Sequence, residues 1–407
     1  MDLGISKKVE PLINKVKTMI NEEIKPKERD FFDEVSIDGR WKLTSKQIKI
    51  LDELKSKAKT NKLWNFWLTD SSEGYGLSTV EYAYLAEEMG KSRLAAEVFN
   101  CNAPDTGNME VLERFGSEEQ KKQWLSPLLE GKIRSAFLMT EPDVASSDAT
   151  NISMKCGSDG KDYILNGEKW WSSGAGDPRC KIYIVMCKTD KNAEKYKQHS
   201  QILVPSDTKG IEILRAMEVY GHDDAPHGHM HLKFKNVRVP KENIILGEGR
   251  GFEIAQSRLG PGRIHHCMRA IGQAELALEM MCERSLSREA FGKKIAYLGS
   301  NFDIIANCRM SIEQARLLCL KTAWIIDQGD PKAAAPWISK IKVIAPNTAL
   351  KVTDEAIQMF GGAGISQETP LGMQWTHLRT LRLADGPDAV HRRQVARAEL
   401  KKFSNRK

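Results

Sequence analysis

The stretch Met139-Thr140-Glu141-Pro142-Asp143-Val144-Ala145-Ser146-Ser147-Asp148, continued by Tyr163-Ile164-Leu165-Asn166-Gly167 and Trp170-Trp171-Ser172-Ser173-Gly174, is where the chain turns from a helical pattern to an extended one. Its first part is short, polar and poor in glycine, and it leads into a tryptophan pair flanked by hydroxyls. An exposed tryptophan pair is costly unless something planar and polar packs there, so a ligand of that shape is expected on it. A second segment far along the chain, Gly361-Gly362-Ala363-Gly364 followed by Ala384-Asp385-Gly386-Pro387, adds a glycine loop and one acid.

Outward from this stretch, residues 1–135 read as helical. Ser117-Glu118-Glu119-Gln120 is a capping box ahead of Trp124 and Leu125, and Tyr82, Leu85 and Met89 recur at helical spacing. Residues 136–243 read as strands. Asp159-Gly160 is a hairpin turn, Ile182-Tyr183-Ile184-Val185-Met186 is a buried-strand run, and Met230, Leu232 and Phe234 alternate with His231 and Lys233. Residues 244–407 return to long helices, with Ile312, Ala315, Cys319, Thr322 and Ile326 on one stripe. The expected fold is α+β, in three domains: an N-terminal helical domain, a middle β-barrel-like domain and a C-terminal helical bundle. Helix-strand-helix order alone fits many folds.

A chain of 407 residues with 41% hydrophobic content has enough material for an ample core. The net charge of +7 favours anionic partners, but the basic residues are dispersed among 54 acidic ones, so nucleic acid is not expected as a partner. The eight cysteines show no CxxC pair or zinc-type spacing and read as reduced core residues. No apolar run approaches the roughly 20 residues of a membrane span. The start, Met1-Asp2-Leu3-Gly4-Ile5-Ser6-Lys7-Lys8, reads as neither a signal nor a transit segment, and the end, Asn405-Arg406-Lys407, is not a peroxisomal address; the compartment stays open.

From about residue 60 to about residue 400 the chain resembles the acyl-CoA dehydrogenase family. In that family a Thr-Glu-Pro segment with a following Ser-Asp lies along the flavin, a Trp-x-Ser/Thr strand covers its ring, and a Gln-x-x-Gly-Gly-x-Gly loop holds the neighbouring subunit's adenosine half. The matching stretches run from Thr140 to Asp148, from Trp171 to Ser173 and from Gln358 to Gly364. The resemblance implies FAD in a crevice between the helical bundle and the β domain, and acyl-CoA α,β-desaturation of the kind used in fatty acid β-oxidation.

Carried over by position, Met139 and Thr140 would meet the flavin's polar edge, Ser146 or Ser147 with Asp148 the pyrophosphate side, and Trp171, Ser172 and Ser173 the ring. Ser147 would also reach the thioester. Arg288 and Phe291, with Gln358, Gly361 and Gly362, would reach across a subunit interface, which implies a homodimer or homotetramer. The glutamine that relatives carry shortly after the Arg-x-x-Phe-Gly is replaced here by Gly299. An electron-transfer flavoprotein would take the electrons.

Desaturation needs a base for the Cα proton while hydride leaves Cβ, and stabilisation of the enolate oxygen. The family's base is usually a loop Glu before a Gly; counting from Gln358 brings Asp385, with Gly386 next as a substrate-side contact. Asp is one methylene shorter, a retreat of about 1.5 Å, and a misplacement of about 1 Å can cost on the order of 100-fold in rate. A minority of the family places its Glu just before an arginine that resembles Arg263, but Gly262 stands there. In relatives the matching arginine lies near the base and the CoA portion, which makes Arg263 a substrate-binding candidate; a plain interhelical salt bridge is the other reading. Read without a family, Asp385 before Gly386-Pro387 is a turn former. Asp388 reads as an N-cap.

Two features mislead. Gly247-Glu248-Gly249-Arg250-Gly251 has the wrong spacing for a dinucleotide fold, and no βαβ unit follows. His222, His227, His229 and His231 invite a metal reading, but no metal is expected, because acidic or thiolate ligands at repeated spacing are missing. Within the family, the segments Thr140 to Asp148, Trp170 to Gly176 and Leu381 to Asp388 resemble a branch whose larger members carry an N-terminal aminoglycoside-phosphotransferase-like kinase domain, some of them linked to 4-hydroxyacyl-CoA breakdown through a phosphorylated intermediate. This chain is expected to lack that domain. The competing function is a non-catalytic acyl-CoA-binding flavoprotein, a sensor or sink whose shortened base is too slow.

Overall fold

The computed structural model describes residues 1–37, 39–68 and 74–404. The carboxyl-terminal 405–407, read above for a targeting address, lie outside the described residues. The chain forms two compact units, one of Met1–Pro26, Phe66–Ala96 and Arg263–Lys407, the other of Lys27–Asn65 and Glu97–Gly262. The architecture is mixed α+β, as expected, with helical regions at both ends of the chain and a curled sheet between them.

The second unit is built on a seven-stranded sheet: β1 (Arg134–Leu138), β2 (Lys155–Ser158), β3 (Asp162–Ser173), β4 (Cys180–Lys188), β5 (His199–Pro205), β6 (Ile211–Met217) and β7 (His229–Pro240). Its order is β1-β4-β2-β3-β7-β6, with β5 paired to β4. β4 pairs with β1 and β5 and is buried at nearly every position, so side chains on both of its faces are covered, which fits its apolar run from Ile182 to Cys187. β2 and β3 form the expected hairpin: Gly160 takes the left-handed φ of +97°, and Asp159 Oδ1 accepts from the N–H groups of Lys161 and Asp162. β3 and β7 pair antiparallel along their length, from Asp162 opposite Pro240 to Ser173 opposite His229. Inward residues Tyr163, Leu165, Leu232, Phe234 and Val237 join Val185 and Val204 in the core.

At the start of β1 the backbone is fixed by charge rather than by apolar packing. Buried Asp105 accepts from the N–H and hydroxyl of Ser135 and from Arg134 Nε, and Arg134 Nη1 reaches Glu97 at 2.8 Å. Every charged group in this buried cluster has an opposite partner, as burial demands.

The first unit is helical, and the long helix Gly251–Ser287 enters it from Arg263 onward. The capped helix Thr79–Met89 packs on it and on Asn301–Asp327. The crossing is tight: a Cβ on Gly272 would sit 1.9 Å from Glu87 O, and one on Gly90 would sit 2.2 Å from Arg269 O. Glycine at both positions lets the backbones touch. Beside the crossing, Arg316 joins Glu87 to Glu275, and Arg309 extends the network to Glu313. On Asn301–Asp327 the stripe Ile312, Ala315, Cys319 and Thr322 is buried as its spacing predicts, while Ile326 is half-buried. Pro331–Phe360, Leu371–Leu381 and Asp388–Ser404 complete the unit. Among the described residues no helix is long and apolar enough to cross a membrane.

Candidate functional site

In the sheet unit, the loop after β1 is held from beneath by one buried ion pair. Lys169, fully buried, donates from Nζ to Met139 O at 2.9 Å and to Glu141 Oε1 at 2.8 Å. Glu141 also accepts from Met154 N at 2.9 Å, and from the N–H and hydroxyl of Ser153 at 2.8 and 2.7 Å. Burial acts against a charged Glu141, but Lys169 and these donors outweigh it and hold the carboxyl below its ordinary range. Trp170 N donates to Thr140 O, tying β3 to the same loop.

Between Lys169 and Ser172 the β3–β7 register slips by a bulge. Trp171 there takes a left-handed φ of +52° and stands 38% exposed. A bulge inserts one residue and resets the alternation of faces. It therefore turns Ser172 inward, buried with no partner for its Oγ among the described residues. Ser173 stays half-buried and shares a 2.8 Å hydrogen bond with His229 Nδ1. The Trp171 ring lies 5.8 Å from the His229 ring. Thus Trp171 and Ser173 are brought together, and Ser172 is not. Of the two candidate serines in the loop, Ser146 accepts from Glu141 N within the loop itself, while Ser147 is exposed. Asp148 accepts from Thr150 N and Oγ1 and caps the short turn that follows.

In the helical unit, Asp385 has a left-handed φ of +53°. Its backbone carbonyl is clamped by Arg263 Nη2 at 3.1 Å and lies 3.2 Å from His391 Nε2. Gly386 follows at φ +101°, and a Cβ there would fall 2.9 Å from His391 Nε2. The Asp385 carboxylate is partly accessible, with Oδ2 at 3.4 Å from His266 Nε2. Asp388 differs from the expected N-cap: its Oδ2 is drawn to Arg382 Nε at 2.9 Å and Asn347 Nδ2 at 3.1 Å, because these donors converge on it.

Burial governs titration around this acid. It lowers Arg263, opposed by the charge of Asp385, and lowers Lys342, whose Nζ donates to Leu381 O. It brings His266 down to about 3 and His391 down to about 4. Both imidazoles are neutral near pH 7, so the positive charge facing Asp385 belongs to Arg263 and Lys342.

The remaining expected contacts lie on the surface of the same unit. Glu289–Ala290 and Lys293–Lys294 form a two-stranded hairpin whose tip is Phe291 and Gly292. Phe291 is 96% exposed. Arg288 precedes it, exposed. Gln358, Gly361 and Gly362 are exposed at the end of Pro331–Phe360, where Gly361 closes the helix at φ +64°. Of the four histidines, His229 is engaged by Ser173 and His231 by Glu168 at 2.9 Å.

Sequence reasoning passed over Lys169, His266 and His391. Lys169 had a signal: it continues the inward positions Tyr163 and Leu165 of β3, and a lysine on an inward face requires a buried acid. His266 lies one helical turn after Arg263, on the same face. His391 carried no signal, because its role depends on the turn at Asp385.

Residues 12–132, 136–237 and 249–400 match the models described as the N-terminal, middle and C-terminal domains of acyl-CoA dehydrogenase. The chain is 50% identical over 401 residues to the protein named Probable acyl-CoA dehydrogenase FadE2 of Mycobacterium tuberculosis (strain ATCC 25618 / H37Rv), covering 98% of this chain and 97% of that protein. It is 53% identical over 397 residues to acyl-CoA dehydrogenase family member 11 of Gallus gallus, covering 97% of this chain and 51% of that protein. The chain therefore spans about half the length of the family member 11 relatives it matches. Among solved structures it is similar to one from Mycobacterium abscessus described as an acyl-CoA dehydrogenase, with TM-score 0.95 and 51% identity over 98% of this chain and 100% of that one.

Proposed function

Because this chain belongs to the acyl-CoA dehydrogenase family, we propose that it is an FAD-dependent dehydrogenase that desaturates an acyl-CoA thioester between Cα and Cβ, with Asp385 as the base. The clamp on Asp385 supports this reading most. Its backbone is held in a left-handed turn by Arg263 and His391 while its carboxylate stays partly accessible. A base fixed before substrate arrives spends little of the barrier on orientation. Arg263 and Lys342 carry the positive charge that faces this carboxylate, and a nearby cation favours the ionised form from which a base must start.

The donor set of the sheet unit fits a flavin. Trp171 offers exposed aromatic surface and Ser173 a hydroxyl beside it, while the carbonyls of Met139 and Thr140 are engaged by Lys169 and Trp170. We therefore take the amide N–H groups of Met139 and Thr140 as the donors a ligand meets there. Ser147 and Asp148 face the polar end, with Ser146 and Ser172 acting behind that surface. Arg288, Phe291, Gln358, Gly361 and Gly362 are assigned to the FAD of a second subunit in a homodimer or homotetramer, and Arg263 and Gly386 to the substrate side of the base. When bound, FAD supplies the acceptor for the hydride leaving Cβ. An electron-transfer flavoprotein is the proposed onward acceptor.

The test is anaerobic titration of the purified protein with straight-chain, 4-hydroxy and 4-phospho acyl-CoA thioesters, following flavin absorbance. Bleaching is the expected result, and the best substrate sets the class. A spectrum perturbed by every thioester and reduced by none would instead favour the acyl-CoA-binding flavoprotein.

A further inference from the structure

Arg263, His266 and Arg269 recur at intervals of three on the helix Gly251–Ser287, so they share one face. Arg269 Nη2 lies 3.3 Å from His266 Nδ1, and His266 Nε2 lies 3.4 Å from Asp385 Oδ2. A guanidinium has donors only, so Nδ1 of His266 must accept. A neutral imidazole that accepts at Nδ1 carries its proton on Nε2, and that N–H faces the carboxylate.

The geometry points to His266, its tautomer set by Arg269, as a positioning residue that donates from Nε2 to Asp385 Oδ2 and fixes the rotation of the shortened carboxylate. This rests on Asp385 being the base. It also answers how an acid one methylene short is kept in register: the clamp from Arg263 and His391 fixes its backbone, and His266 fixes its side chain. Catalytic hydrogen bonds in unliganded sites are commonly long and tighten with substrate, so 3.4 Å is within reach of that role.

Burial keeps His266 neutral down to about 3, against the pull of Asp385, so the donor does not itself titrate in the working range. Besides Arg269, the groups that act on the pair among the described residues include Arg263 on the same helix, Lys342 on Pro331–Phe360, His377 on Leu371–Leu381 and His391 on Asp388–Ser404. Of these the cations Arg263 and Lys342 stay charged, and His391 is neutral above about 4.

The test is the pH dependence of kcat/KM for wild type, His266→Leu, His266→Gln and Asp385→Asn, with flavin content and melting temperature recorded for each. Loss of one hydrogen bond to a carboxylate is expected to move the acidic limb of His266→Leu upward by about one to two pH units. His266→Gln, which keeps a donor, should return the limb near the wild-type value; a merely structural histidine would change stability and leave the limb in place. An unmoved limb in His266→Leu, with activity lost in Asp385→Asn, overturns this inference and leaves Asp385 as the base. Activity retained in Asp385→Asn overturns the base and this inference together. Should His266→Leu not hold flavin, Arg269→Met releases the tautomer and is read the same way: a raised limb supports the positioning role of His266, and an unmoved one overturns it.

Discussion

Replacing Lys169 by methionine removes the cation beneath the loop that carries Met139 and Thr140, while keeping most of the side chain's volume. The ammonium makes two short contacts, with Met139 O and Glu141 Oε1, at a fully buried position. Removing one partner of a buried pair costs about 3–5 kcal/mol. Glu141 keeps its donors from Ser153 and Met154, which places the loss at the lower end, about 3 kcal/mol. For a chain of this length that melts cooperatively, the loss corresponds to a fall of about 4 °C in Tm. The pH dependence has a definite sign. In wild type the folded carboxyl of Glu141 sits below its unfolded value, so its stabilisation is present above that unfolded value and fades as pH falls through the folded one. In the variant burial raises the folded value above the unfolded one, so the penalty is present at high pH and is relieved on acidification. Both effects narrow the gap between the two proteins toward acid, and between pH 8 and pH 5, above the range in which the wild-type carboxyl titrates, the variant's acts alone. Circular-dichroism melts from pH 8 to pH 5 measure it, and adding Glu141→Gln to Lys169→Met should restore much of the lost stability. A variant melting within about 1 °C of wild type, or a gap that widens with acid, would refute the reasoning.

Gly272→Ala puts a methyl 1.9 Å from Glu87 O at the closest helix crossing, with backbone on the far side that cannot give way. A loss of about 3 kcal/mol or more is expected in thermal melts, at the upper end of overpacking costs; a neutral effect would mean that the crossing relaxes. Gly386→Ala combines a φ of +101° with a contact of 2.9 Å to His391. It should lower stability by about 1–3 kcal/mol and slow flavin reduction more than it weakens substrate binding, which single-turnover kinetics separates.

The division into helical, extended and helical stretches was legible because each has its own periodicity. The capping box at Ser117, the hairpin at Asp159 and the buried run of β4 are local signals, and local hydrogen bonding or burial realised each of them. Features that depend on distant partners were not legible. The bulge that turns Trp171 out and Ser172 in arises from pairing with β7, and alternation read from β3 alone does not contain it. The grouping of Lys27–Asn65 with the sheet, in a different unit from Met1–Pro26 and Phe66–Ala96, is likewise a matter of long-range packing. Asp388 looked like a cap because it opens a helix, yet an arginine six residues back and Asn347 on another helix take its carboxylate. In the helical unit the sequence pointed to Asp385 and Arg263, and in the sheet unit to Trp171, while the left-handed turn at Asp385, the clamp by His391 and the approach of His266 exist only once the helices have packed.

The central claim is that Asp385 takes the proton. Stopped-flow anaerobic reduction of the flavin by the best bleaching thioester, comparing Asp385→Asn with wild type, tests it most directly. The account predicts that the variant keeps its flavin and its substrate affinity while reduction slows by about 10²–10⁴-fold, the usual worth of a positioned general base. Reduction within a few-fold of the wild-type rate would contradict it.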